Sequence, residues 1–239
     1  MSGQLTLPVA DHDAPAFSNF RVSRANRLTV NSLHQVLDAD GFGFVWLWGS
    51  EGCGRTHLLQ ACCAEFAGAG SVYLPLSELH TADPFELLSD LESYAIVALD
   101  DVDMVFAKAD WERALFDLFN RCLGADTILI MSAALAAAHA DVVLPDLQSR
   151  LVSGLSLSLQ PPDDDEKAQI LIDRARSRGM QLTDAIATFI LNRAGRDLKD
   201  LLALLDEIDR RSLRDQRRLT IPFVRQVLDA VEQTNSSDC

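Results

Sequence analysis

An eight-residue segment, GSEGCGRT at positions 49–56, most constrains what this chain can fold into. It follows FVWLW (44–48), an apolar run that predicts a buried strand, and it precedes an apolar helical period that begins at Thr56. The segment fits the P-loop pattern G-x-x-x-x-G-K-[ST], with arginine in place of lysine. Its glycines let backbone N–H groups curl around phosphate oxygens at the positive end of a helix. The pattern predicts a nucleotide site, and a glycine-rich turn without a ligand is the structural alternative.

The candidate phosphate-binding residues are those of the loop and of the first helical turn: Gly49, Gly52, Cys53, Gly54, Arg55, Thr56 and His57. The Thr56 hydroxyl is also a candidate magnesium ligand. Lysine is a compact charge that fits beside β- and γ-phosphates, whereas the guanidinium of Arg55 is larger and planar. We therefore expect that nucleotide binding is retained and that hydrolysis by this chain is weakened.

Two acids follow a second apolar run, IVALDD at 96–101. A carboxylate at the carboxyl end of a strand beside the P-loop can hold Mg²⁺ directly or through water. Asp100 is the metal candidate, and Asp101 is the candidate for orienting an attacking water. A strand followed by an acidic turn without function is the alternative for these two residues.

The remaining pattern predicts an α/β domain followed by helices. Further strands are expected near 71–74, 127–131 and 155–159, and helices near 56–66, 84–91 and 111–123, an alternation that favours a parallel sheet covered on both faces. After Pro161-Pro162 only helices are predicted, near 163–178, 183–194, 198–213 and 222–232. We divide the chain into a flexible arm (1–15), an α/β domain (16–161) and an α-helical domain (162–239).

Composition excludes several classes of function. A net charge of −14 opposes wrapping of a phosphate backbone, so direct sequence-specific DNA binding is not expected. The five cysteines have no Cys-x-x-Cys spacing, and the histidines show no metal or triad spacing. The N-terminus lacks the pattern of a secretory signal, and no apolar stretch reaches the roughly 18 residues of a membrane span. We expect a cytoplasmic protein without a membrane partner.

Together these segments resemble the AAA+ ATPases, and within them the branch of the bacterial replication initiator DnaA. The similar segments are FSNF (17–20) with Asn26, GCGRTHLL (52–59), DLQSR (146–150) and LTIPFV (219–224). The resemblance implies an AAA+ domain, with helices on both faces of its parallel sheet, and a small α-helical lid. It also implies that Arg150 is an arginine finger acting in trans, that Arg196 is the sensor 2 arginine, and that the adenine site is lined by Phe20, Val22 and Leu198. On sequence physics alone, both arginines also fit a solvated surface.

The resemblance further implies a function in the control of replication. QLTLP at 4–8 resembles a peptide that binds the sliding clamp, with Gln4, Leu5, Leu7 and Pro8 as contacts. The implied protein carries ADP or ATP, with or without Mg²⁺. It docks on the clamp, the β subunit of the DNA polymerase, and it stimulates ATP hydrolysis by DnaA, which makes it a negative regulator of initiation. The surface that carries the finger also permits a homodimer or a higher oligomer.

Some residues depart from the branch pattern. The clamp peptide lacks an aromatic anchor, and Ala133-Ala134 follow Ser132 where a polar sensor 1 residue is expected. No helix-turn-helix segment follows Glu232. Two alternatives remain: an autonomous AAA+ ATPase for remodelling or helicase loading, and a binding module whose nucleotide only fixes the angle between two domains.

Overall fold

Five strands form one parallel sheet in the computed structural model, which describes residues 14–237, with side chains through residue 230. The strands are β1 (Phe44–Trp48), β2 (Ser71–Pro75), β3 (Ile96–Asp100), β4 (Ile128–Ala133) and β5 (Leu155–Ser158). They lie in the order β2-β3-β4-β1-β5, and every pair is parallel. The α/β fold class predicted from the sequence is confirmed. Because the strands are parallel, their carboxyl ends, Asp100 among them, meet at one edge of the sheet.

The three central strands, β1, β3 and β4, are almost wholly buried and largely apolar because both faces of the sheet are covered there. Alternate residues enter two separate clusters. Trp46, Leu99 and Met131 pack on one side with the helix over Ala109–Gly124, while Leu47 and Ile130 pack on the other side with the helix over Arg55–Glu65. All five of these side chains are fully buried.

Six α-helices accompany this sheet: α1 (Arg27–Leu37), α2 (Arg55–Glu65), α3 (Leu76–Leu79), α4 (Pro84–Leu87), α5 (Ala109–Gly124) and α6 (Pro145–Ser153). The sequence analysis predicts neither α1 nor α6. The predicted helix over 84–91 is too long, because Asp90 adopts a left-handed conformation with φ of 55° and a separate 3-10 turn, Leu91–Ser93, follows it. Other short 3-10 turns cover Phe17–Asn19, Val102–Val105 and Ala137–His139.

The buried carboxylate of Glu112 ties α5 to the segment that begins α6. Glu112 is 1% exposed, and it accepts backbone hydrogen bonds from Ala107 at 2.9 Å, Val143 at 3.0 Å and Leu144 at 2.7 Å. A carboxylate that satisfies several buried N–H groups makes charge-assisted hydrogen bonds, which are stronger than neutral ones. These bonds fix the chain immediately before Pro145, where α6 starts.

The chain divides into two compact units after Pro162, and the second unit, from Asp163 onward, is helical. Its helices are α7 (Asp164–Ser177), α8 (Asp184–Arg193), α9 (Leu198–Asp215) and α10 (Ile221–Ser237). Asp163 caps α7 reciprocally with Glu166, and the core of the unit includes Leu171, Ala187, Leu201 and Val224. Within the described residues, none of the helices combines the length and apolarity needed to cross a bilayer.

We predict that Glu112→Ala lowers the free energy of unfolding by about 3 kcal/mol, because it leaves buried N–H groups without their acceptor. Chemical denaturation followed by circular dichroism measures the change. Glu65→Ala, at an exposed helical position, is the matched control and should change stability by less than about 0.5 kcal/mol. Equal effects of the two substitutions would contradict the anchoring role.

Candidate functional site

The P-loop turns sharply between β1 and α2. Gly52 and Gly54 have φ of 74° and 101°, in the left-handed region that favours glycine. A Cβ atom built on Gly49 would lie 2.5 Å from the carbonyl oxygen of Leu159, and one built on Gly54 would lie 2.7 Å from the ring of Phe20. The loop therefore needs glycine at these three positions for conformation or for space.

The end of this turn is the N-terminus of α2. The backbone N–H of Leu58 makes the first α-helical bond to Gly54, at 3.1 Å, so the N–H groups of Arg55, Thr56 and His57 lie in the first helical turn. A helix N-terminus of this kind attracts phosphate through its N–H groups and its dipole. The geometry of the loop fits the phosphates of a nucleotide.

The carboxylate of Asp100 lies beside this turn, and three hydroxyl groups from three different elements contact it. Thr56 donates to Oδ2 at 2.7 Å, Tyr73 donates to the same oxygen at 2.8 Å, and Ser132 donates to Oδ1. Asp100 is only 2% exposed. Burial, and next the negative charge of Asp100, raise the pKa of the Tyr73 hydroxyl, which therefore remains a hydrogen-bond donor at neutral pH.

The donor set also fits Mg²⁺. Thr56 and Asp100 contribute hydroxyl and carboxylate oxygens, the hard ligands that Mg²⁺ prefers, and this ion usually takes its other ligands from water and substrate phosphates. Among the described residues, no group of three or more His, Cys, Asp and Glu side chains is arranged around a metal position. Thr56 and Asp100 would hold Mg²⁺ next to the phosphates.

Arg55 crosses the loop and forms an ion pair with Asp101. One guanidinium nitrogen lies 2.9 Å from Asp101 Oδ1, and another donates to the carbonyl of Gly49. Asp101 has φ of 54°, and its N–H donates to Ser132 Oγ at 3.0 Å. Burial raises the pKa of the Asp101 carboxyl, the nearby charge of Asp100 raises it further, and Arg55 opposes both effects. The acid proposed to orient water thus has a cationic partner inside its own chain.

The segment that precedes α1 contributes Phe20 to the P-loop. The Phe20 ring lies against Gly54 and 5.4 Å from the ring of His57, whose Nε2 is 3.0 Å from the carbonyl of Ala16. Val22, the other proposed adenine contact from this segment, keeps 41% of its surface exposed. Asn26 holds the segment to the chain after β5 through two hydrogen bonds of 2.8 Å with the backbone of Gln160.

Arg150 lies on α6, outside the P-loop and the acidic strand end. Its side chain is exposed, and the guanidinium carbon lies 5.6 Å from the centroid of the Phe119 ring. Cation–π contacts operate at this range. The helix that carries Arg150, α6, contributes no residue to the P-loop.

The helical unit carries the other two proposed nucleotide contacts. Arg196 is exposed, and its guanidinium lies 3.6 Å from Asp164 Oδ2, while Leu198 is the half-buried first residue of α9. Their roles remain predictions. The proposed clamp contacts, Gln4, Leu5, Leu7 and Pro8, lie outside the described residues.

Sequence reasoning missed two residues at these sites. Pro75 pairs with Asp100, and Tyr73 lies on the same face of β2 as Pro75. The contact of Tyr73 with Asp100 is therefore predictable only once the pairing of β2 with β3 is known. Phe119 gave no signal, because only the packing of α5 on α6 brings its ring beneath Arg150.

Comparisons with known proteins assign the fold. Residues 164–228 match the family model of the Hda lid domain. Domain III of the replication initiation protein DnaA from Thermotoga maritima aligns at a TM-score of 0.74 and 19% identity, covering 90% of this chain and 95% of that one. AMPPCP-bound DnaA from Aquifex aeolicus aligns at 0.65 and 21% identity, covering 82% and 65%. The RuvB Holliday junction branch migration motor from Thermotoga maritima aligns at 0.66 and 16% identity, covering 90% and 72%.

The sheet order, the P-loop and these alignments show that the chain has the fold of these AAA+ proteins. Residues 164–228 are similar to the lid domain of Hda, which agrees with the resemblance to the DnaA branch seen in the sequence.

We predict that Gly54→Ala weakens ADP binding at least about tenfold, because a side chain at φ of 101° is strained and its Cβ would displace Phe20. Titration with a fluorescent ADP analogue measures the affinity. Gly68→Ala, where a Cβ meets no atom within 4 Å, is the matched control and should bind like the wild type. Equal affinities for all three proteins would contradict the assignment of the loop.

Proposed function

We propose that this chain is a negative regulator of replication initiation that acts as an adaptor in the cytoplasm. It carries ADP, docks on the polymerase sliding clamp through residues 4–8, and presents Arg150 to the ATP of a bound DnaA molecule. The observation that carries the proposal is the exposure of Arg150 on α6, away from the P-loop of its own chain.

The charge on Arg150 supports action outside this chain. Within the described part of the chain, no carboxylate forms an ion pair with Arg150, whereas Arg55 and Arg121 each pair with an acid. An arginine supplied in trans stabilises the charge that develops on the transferring phosphoryl group and contributes about 10³–10⁵ in rate. An exposed guanidinium that rests on an aromatic ring keeps its charge available for that task.

The surroundings of Asp101 support weak hydrolysis by the chain itself. The Asp101 carboxylate is ion-paired through Oδ1 with Arg55 at 2.9 Å, and the neighbouring cation makes it a weaker acceptor for the hydrogen bond of an attacking water. Beyond Ser132, the chain continues with Ala133 and Ala134, which offer no polar side chain to a γ-phosphate. Weak turnover means that a bound nucleotide persists, which fits an adaptor better than a motor.

Within the proposal, the P-loop holds the phosphates of the ADP, with Phe20 and, from the lid, Arg196 and Leu198 as further contacts. Bound Mg²⁺ would neutralise phosphate charge at Thr56 and Asp100. We propose that the bound nucleotide keeps the adaptor in a conformation that binds DnaA and is not hydrolysed as a source of energy.

Clamp docking supplies proximity in this proposal. The chain has a net charge of −14, which opposes direct association with DNA. A clamp encircling DNA would bring it near DnaA by raising its effective concentration.

An autonomous ATPase is the second candidate function. It requires Asp101 to be released from Arg55 and Arg150 to complete a site in an assembly of identical chains. Steady-state ATP turnover by this chain without DnaA would favour it.

We predict that the ADP-bound protein accelerates ATP hydrolysis by DnaA in the presence of DNA-loaded clamp, and that Arg150→Ala reduces the acceleration about 10³-fold. Phosphate release from DnaA–ATP measures the rate. The substitution removes an exposed side chain, so the fold and clamp binding should persist. Arg113→Ala, at an exposed arginine of α5, is the matched control and should retain the acceleration.

Two outcomes would contradict the adaptor. A wild-type protein that leaves phosphate release unchanged would exclude stimulation of DnaA. Release that depends on this chain alone, with no DnaA present, would instead support the autonomous ATPase.

We predict that replacing Gln4 and Leu5 together with alanine abolishes clamp binding and spares nucleotide affinity, because the two residues begin the clamp peptide and lie outside the P-loop. Surface plasmon resonance on immobilised clamp and an ADP titration measure the two properties. The Arg150→Ala protein is the converse control, since it should bind the clamp normally. Clamp binding by the double variant would place the contact elsewhere.

A further inference from the structure

The ring of Phe119, on which Arg150 lies, is held in place by two neighbouring aromatic rings. Phe119 is 3% exposed on α5. Its ring makes edge contacts with Phe42 at 5.4 Å and 74°, and with Phe44 at 5.0 Å and 78°. Edge-to-face packing of this kind restricts the orientation of the ring. Phe119 therefore offers a fixed platform on which the guanidinium of Arg150 lies.

The backbone that follows Arg150 is fitted to the same cluster. Gly154 comes directly after α6, and a Cβ atom built on it would overlap the ring of Phe44. The end of α6 can lie this close to the ring only because Gly154 has no side chain. The cluster thus sets the position of the helix end as well as that of the guanidinium.

A free exposed arginine samples many rotamers, and ordering it costs entropy that must be recovered when it reaches its target. A contact with the ring restricts that freedom before a partner arrives, which is the usual benefit of preorganisation. A groove of about 240 Å³ lies beside the arginine, lined by Phe116, Asp146, Ser149, Arg150 and Ser153. An approaching group can therefore reach the guanidinium without displacing the buried ring.

We propose that Phe119 is a positioning residue that holds Arg150 in the orientation used on the ATP of the partner; this inference rests on the proposed function. Phe119 acts only through Arg150 and contacts no nucleotide. Its contribution is expected in the maximal stimulated rate and not in the affinity of the two proteins.

The test compares Phe119→Leu, which keeps apolar bulk but removes the ring, with Phe119→Tyr, which keeps the ring. With DnaA–ATP and DNA-loaded clamp, Phe119→Leu should lower the maximal rate of phosphate release about threefold to fivefold, the size expected of an exposed cation–π contact. The concentration that gives half-maximal stimulation should stay the same. Phe119→Tyr should restore the wild-type rate. Phe106→Leu, the same change at a buried ring that stacks on Trp46, is the control for a general loss of aromatic packing and should retain the rate.

A second measurement needs no partner. The Nε–H signal of Arg150 in nitrogen-15 NMR, assigned by its loss in Arg150→Ala, should carry a ring-current shift that disappears in Phe119→Leu and persists in Phe119→Tyr. An unchanged signal in Phe119→Leu would overturn the proposal. So would a stimulated rate for Phe119→Leu equal to that of the wild type, while the proposed function stands. If the wild-type protein shows the shift but stimulates no hydrolysis, the proposed function fails and the positioning role fails with it.

Discussion

The buried carboxylate of Asp100 is the interaction on which the nucleotide end of the sheet depends. It accepts hydroxyl hydrogen bonds from Thr56 at the start of α2, from Tyr73 on β2 and from Ser132 on β4. A carboxylate taken out of water is stable only when its oxygens are satisfied, so the three donors must be present together. One charge thus fixes the P-loop helix to β3 and to the two strands that flank β3 in the sheet.

Asp101, the next residue along the chain, adds a second negative charge to the same edge of the sheet. Asp101 lies beside Asp100, and an excess of negative charge at this edge would be costly without a cation. Arg55 supplies the cation from the P-loop itself. The ion pair between Arg55 and Asp101 offsets the repulsion between Asp100 and Asp101. It also engages the Asp101 carboxylate, which hydrolysis would require. Within the proposed function, retained binding and weakened turnover, both expected from Arg55 in the sequence, have a common electrostatic origin.

Features set by local sequence can be predicted, and features set by distant packing cannot. The strands 44–48 and 96–100 and the glycine turn between 49 and 54 follow from the sequence, because their apolar runs and turn residues act over a few positions. The helix α6 does not, since Pro145 starts it without a strong periodic signal and Glu112, more than thirty residues earlier, fixes its beginning. The contact of Tyr73 with Asp100 escapes prediction for the same reason: it depends on strand register.

Both contacts that hold α6 in place come from side chains of the helix α5. Glu112 and Phe119 are seven positions apart, which is two helical turns, so both side chains project from one face. The first binds the backbone before α6 and the second lies beneath Arg150 near its end. A short helix fixed near both ends against one rigid element has little freedom to rotate. Arg150 is thereby carried, with its side chain exposed, on a stable element. The action that we propose for Arg150 on a partner therefore requires no rearrangement within this chain.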